Sequence, residues 1–256
     1  MARTVPVRAL AVAGVVAALV AGATACGASA GDDKDPDQRS FALRGDTLTI
    51  DSDDSALEIV AADAHKAGTV DVTRWFQGTV AMGKDPKVTW SMKDDRLKLR
   101  LTCSGVVADC AAKHRIEVPR GVAVNVVDGD GSVRARGFED ALNIRTGDGS
   151  VRVTDSSGPL ELRTGDGSVH AEVSSREVRA RTGDGSVHLE LDAVPDLVES
   201  RTGDGSVTIA LPDATYRVTA RTGDGAEDIS VPRDDSSSHV VSAQTGDGKV
   251  TVRTAN

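Results

Sequence analysis

The sequence predicts an all-β fold, a parallel β-helix-like solenoid with two short strands per 18–20 residue coil and an N-terminal cap of degenerate coils or β-meander. Three observations predict it. A Gly-Asp-Gly motif recurs at a near-constant interval. Apolar and polar residues alternate strictly on both sides of each motif. The interval is also too short to hold the helix that links strands in an ordinary parallel α/β sheet.

Taken from the N-terminus, residues 1–25 read as a lipoprotein signal peptide. Arg3 and Arg8 precede an uncharged run of 17 residues, Ala9 to Ala25, rich in Ala, Val and Leu. Small residues then lead into Cys26, which reads as the lipid-acylated first residue of the mature chain. Ala23 departs from this pattern, since such signals usually carry Leu there. Cleavage after Ala28-Ser29-Ala30 is the alternative and would release a secreted protein. The expected location is therefore the outer face of the cell membrane, with the anchor as the membrane contact. Residues 26–43, rich in Gly, Ala, Ser and Asp, read as a flexible acidic linker.

Residues 44–127 form an N-terminal β region. Leu48/Ile50, Leu57/Ile59, Val70/Val72, Val88/Trp90/Met92, Leu97/Leu99/Leu101 and Ile116/Val118 keep the period-two register. Cys103 and Cys110, seven apart around Ser104-Gly105, read as a local disulfide in an exported chain. Trp75, Phe76 and Trp90 read as packing residues here.

Residues 128–256 carry the regular repeats, and 44–256 read as one continuous domain. The first glycines of the motifs are Gly129, Gly147, Gly165, Gly183, Gly203, Gly223 and Gly246, at intervals of 18, 18, 18, 20, 20 and 23. Before each bend come inward residues such as Leu142/Ile144 and Leu160/Leu162; after it come pairs such as Val151/Val153 and Val187/Leu189. Stacked coils of this kind rise by about 4.8 Å each. In the penultimate coil Glu227 stands where the others have Val.

The iterated Thr-Gly-Asp-Gly-Ser-Val units, the Ile116-Glu117-Val118-Pro119-Arg120-Gly121-Val122 run and the Asp85-Pro86-Lys87-Val88 segment resemble the bacterial family called domain of unknown function 4097, which carries an adhesin label and is common in actinobacterial envelope proteins. The resemblance spans roughly residues 44 to 256. It implies a β-strand repeat fold behind an export signal or membrane anchor. It implies no catalytic residues.

Two columns of side chains follow from the repeat. Asp148, Asp166, Asp184, Asp204 and Asp224, with Asp130 and Asp247, occupy one turn position. The expected role is structural, each Asp bonding its own bend while the glycines take positive φ; calcium binding is the alternative, since carboxylate oxygens suit that ion. From Asp128 a partial calcium-loop match, with Asp130, Ser132 and Glu139, fails at Val133, where glycine belongs. Arg145, Arg163, Arg181, Arg201 and Arg221 form the second column, facing outward. They either balance the Asp column or bind an anionic envelope polymer, because a guanidinium pairs well with phosphate or carboxylate. His170 and His188 should stack on the exterior.

The net charge of −9 and only six aromatic residues exclude a nucleic-acid footprint. No nucleophile elbow, zinc-protease motif or Walker loop is present, so the chain is read as no enzyme, with no cofactor. The favoured function is a non-catalytic envelope scaffold or adhesin-like binding module. An accessory or sensing module of an envelope stress system and a polysaccharide-active β-helix enzyme are the alternatives. Exposed strand edges at the solenoid ends make a homo-oligomer through those ends a further expectation.

Overall fold

In the computed structural model, which describes residue 30 and residues 33–62 and 68–255, the repeats build two facing stacks of parallel strands. Cys26 and the segment read as a signal peptide lie outside the described residues. The N-terminal region contains β1 (Asp37–Ala42), β2 (Thr47–Ser52), β3 (Ala56–Ala62), β4 (Thr69–Lys93) and β5 (Arg96–Pro119). The first repeats supply β6 (Ala123–Val127), β7 (Val133–Arg136), β8 (Leu142–Arg145), β9 (Val151–Thr154), β10 (Leu160–Arg163) and β11 (Val169–Val173). The later ones supply β12 (Glu177–Arg181), β13 (Val187–Leu191), β14 (Leu197–Arg201), β15 (Val207–Leu211), β16 (Arg217–Arg221), β17 (Glu227–Ile229), β18 (Val240–Gln244) and β19 (Val250–Thr254).

Each coil contributes its first strand to one stack and its second to the other, with like residues in register. Leu142 lies beside Leu160 and Val178, and Val151 beside Val169 and Val187. The inward residues of both stacks meet in one continuous core from Phe41 to Val252. Alternation therefore produces burial on the inner face, as the period-two pattern requires.

Sequence order and spatial order diverge at both ends. β14 and β15 pair with β18 and β19, and the earlier coil β16/β17 pairs outside these. The chain thus skips one rung, turns back, and fills the gap with its last coil. This accounts for the long interval of 23 residues, since the return needs extra chain. It also explains Glu227, which belongs to the terminal rung and is exposed. At the other end β2/β3 lie between β6/β7 and the outer β5.

The N-terminal cap combines both expected forms. β2 and β3 make a full coil, whereas β4 and β5 form an antiparallel hairpin whose ends cover it. Residues Arg96–Leu99 pair with β2 and Lys113–Pro119 with β3. Thirteen residues of β5 thus separate two stretches that the neighbouring coil joins through the three residues 53–55. Its middle section and the paired part of β4 therefore leave the stack as a two-stranded arm. Cys103 and Cys110 cross-link the outgoing and returning legs, with Cα atoms 6.2 Å apart. The linker expected over residues 26–43 is corrected in part: Asp37–Ala42 is strand β1, antiparallel to β4, because Phe41 buries its ring against the core and meets Trp90 edge-on at 6.1 Å.

Candidate functional site

The site is best built from the bend outward. The repeat threonines Thr146, Thr164, Thr182, Thr202 and Thr245 are buried at the heads of their bends, and each hydroxyl donates to carbonyls of the neighbouring rung. Thr146 reaches Gly129 O at 2.8 Å and Gly131 O at 3.1 Å; Thr164, Thr182, Thr202 and Thr245 repeat the geometry one rung on each time. The sequence analysis gives this threonine no role; the signal for it is its identity, a β-branched hydroxyl at the same position of every bend from Thr146 onward.

The glycines serve a different purpose from the one expected. None of the motif glycines has positive φ. A Cβ on Gly149 would lie 1.9 Å from Gly131 O of the neighbouring rung, so the requirement is close backbone approach between rungs. The aspartates likewise do not cap their own bends in a repeated pattern. In the first rungs the carboxylate accepts across rungs, at 3.4 Å from the Asp130 amide to Asp54 and from the Asp148 amide to Asp130.

Asp148, Asp166, Asp184, Asp204 and Asp224 all face solvent at the bend corner. Asp247 sits between Asp204 and Asp224, because its coil is the inserted one. Among the described residues no group of three or more His, Cys, Asp or Glu side chains converges as a metal site requires. Asp128 differs from the column: it stands in the threonine position and is 6% exposed. Burial raises its carboxyl to about 6, opposed by the Ser52 hydroxyl and the Gly131 amide and reinforced by the charges of Asp54 and Asp130.

The Arg column faces outward on the first stack. In spatial order it runs Arg145, Arg163, Arg181, Arg201, Gln244, Arg221. The row of five adjacent arginines is thereby corrected to four, with Arg221 displaced one rung by the inserted coil. Arg163 pairs with Glu161 beside it. Arg145, Arg181, Arg201 and Arg221 are exposed and make no ion pair among the described residues. The proposed balancing of Asp by Arg is therefore not the arrangement found. The adjacent column holds Asn125, Asn143, Glu161, Arg179 and Glu199, and Asn125, Asn143, Arg145, Glu161 and Arg163 line a shallow recess. Arg179 is occupied by Glu177 and by Glu199 at 3.3 Å.

On the opposite stack His170 and His188 lie face to face, with ring centroids 4.9 Å apart. His170 Nε2 meets Glu172 at 2.5 Å, a contact that holds the Glu172 carboxyl below its usual range. Burial and the His170 charge lower His188. The return loop is a bracing element: Tyr216 is fully buried, its hydroxyl donates to Pro212 O at 2.9 Å, and Asp234 N reaches Tyr216 O at 3.0 Å.

Among solved structures, a candidate adhesin from Bacteroides fragilis is similar at 16% identity and a TM-score of 0.49, over 86% of this chain and 98% of that one. A candidate adhesin from Parabacteroides merdae shares 12% identity at a TM-score of 0.42, over 87% and 97%. A candidate cell adhesion protein from Clostridium sporogenes shares 13% at a TM-score of 0.39, over 86% and 100%. No curated protein matches the chain. The model of one family, Toastrack DUF4097, matches residues 29–256, repeats and N-terminal cap together, and the chain belongs to that family.

Proposed function

We propose that this protein is a non-catalytic scaffold of the cell envelope, lipid-anchored through Cys26, that binds an anionic envelope polymer along its arginine row. The observation that carries the reading is the four-rung row Arg145, Arg163, Arg181 and Arg201, three of whose members lack an ion pair among the described residues. Rungs spaced by about 4.8 Å give a linear array of forked donors, and a phosphate- or carboxylate-bearing chain laid along the stack meets one guanidinium per rung. The net charge of −9 makes such a row locally distinct.

A glycerol-phosphate polymer of the teichoic type is the probe. The parent should retain it with an affinity that falls steeply as salt rises, and Arg163→Ser/Arg181→Ser/Arg201→Ser should weaken retention at least ten-fold. Equal retention by the variant removes the arginine row from the reading. Mass analysis of the membrane fraction tests the anchor separately: Cys26 should carry acyl chains, and Cys26→Ser should leave the membrane.

A further inference from the structure

The disulfide-bridged arm ends in an apolar tip. Among the described residues four large hydrophobic side chains are exposed, and three share this tip: Met82 at 78%, Val106 at 74% and Val107 at 64%. Val107 pairs with Ala81 across the ribbon, and Gly105 with Gly83. The two strands meet closely here, since a Cβ on Gly105 would lie 2.4 Å from Val80 Cγ1. A soluble domain gains nothing from presenting these side chains to water, and the Cys103–Cys110 link holds the ribbon that presents them.

Chain length argues for what covers the tip, and charge does not oppose it. Lys84 and Lys87 balance Asp85 and Asp109 on the arm, and at its base Arg100 and Lys113 pair with Asp51 and Glu58 of the solenoid, so the arm carries none of the excess negative charge of a protein at −9. Trp75 lies at its base under Lys113, whose Nζ is 5.2 Å from the ring centroid. The Phe76 amide, also at the base, donates to the Asp33 carboxylate at 3.0 Å. The N-terminal end of the described chain is therefore fastened to the arm itself. From Cys26 to Asp33 is seven residues, a reach of up to about 25 Å. From Phe76 to Met82 is six residues of strand, about 20 Å. A lipid on Cys26 and the arm tip can thus reach the same plane.

We propose that the Met82, Val106 and Val107 tip inserts into the lipid surface beside the anchor, as a second attachment that orients the solenoid on the membrane. This deepens the anchored reading above and shares its membrane. Two weak attachments together hold far more firmly than either alone, because the second binds at the high local concentration set by the first.

The test uses the chain from residue 30 onward, which contains every residue of the core and no lipid. With vesicles of equal parts phosphatidylglycerol and phosphatidylethanolamine, the oxidised parent should co-sediment. Met82→Ser/Val106→Ser/Val107→Ser alters only exposed positions, so it should keep the parent's thermal midpoint while its partitioning falls at least ten-fold. A parent that stays in the supernatant, or a variant that binds as well as the parent, overturns insertion. So does a parent that sediments as a dimer without vesicles and a variant that sediments as a monomer, since the tip then closes on a second copy. Vesicle binding together with an unacylated Cys26 in cells would remove the anchor and leave the insertion standing.

Discussion

A threonine hydroxyl shared between two carbonyls of the rung below is the smallest unit that repeats through this molecule. Asp128 interrupts that ladder at its first rung, putting an acceptor where every later coil has a donor. Its folded-state carboxyl is raised to about 6, above its ordinary value of 3.8, so the sign of the linkage is set. The stability associated with the protonated form is fully present below the ordinary value and is lost as pH rises through about 6. Asp128→Thr should therefore raise stability by about 2 kcal/mol at pH 7.5, combining relief of a buried charge with a restored donor. The gain should shrink towards pH 4. Urea titrations of both proteins at the two pH values check this, and a gain independent of pH would refute the ionisation argument. His114, also buried and lowered to about 4, acts in the opposite sense, its contribution present above 6.5 and lost as pH falls. Both proteins carry His114, so its effect cancels in the difference.

Among the elements the arm is the outlier. Every other coil turns its corner in a short bend, whereas β4 and β5 extend past it together and return. The arm lies outside the core, and only Ala112 and His114 near its base are fully covered. Its order thus depends on cross-strand bonds and the seven-residue disulfide loop more than on burial. Closing a loop of that size contributes about 2 kcal/mol on the chain-entropy account. Reduction should accordingly loosen the arm without unfolding the solenoid. Limited proteolysis should cut between residues 103 and 110 only after reduction, with the repeat region left intact. Loss of the whole domain on reduction would show that the arm is integral to the core.

At the scale of the whole molecule, the order of rungs matters most. The first coil in sequence, β2/β3, and the last, β18/β19, each sit one rung inside their end of the stack. The outer rungs come from interior sequence, so fraying of a terminus does not open the stack from its end. The exposed C-terminal rung is short and polar, with Arg217, Thr219, Arg221, Glu227 and Asp228 along its edge strands. Charged, short edges resist pairing with another chain. Amide exchange should therefore show β18 and β19 protected as strongly as β12 and β13, and β16 and β17 exchanging sooner. Faster exchange in β18 than in β16 would contradict the inserted-rung arrangement.

The sequence by itself determined the local and periodic properties: two strands per coil, the inward register of pairs such as Leu160/Leu162 and Val169/Ala171, and the stacking of His170 on His188. These follow from alternation and repeat length, which are readable one coil at a time. Tertiary structure alone decided which coil neighbours which. The repeats are near-identical at their edges, so a rung ending in Arg201 is complementary both to the rung of Arg221 and to that of Gln244. Local pattern does not choose between them. What distinguishes them is the longer return segment, held by main-chain bonds from Tyr216 N to Pro232 O and from Asp234 N to Tyr216 O, which carries β18 back inside β16. The arm differs: alternation lapses between Val72 and Val88 and between Leu101 and Ile116, but only pairing of the flanking stretches with β2 and β3 shows that this middle leaves the stack.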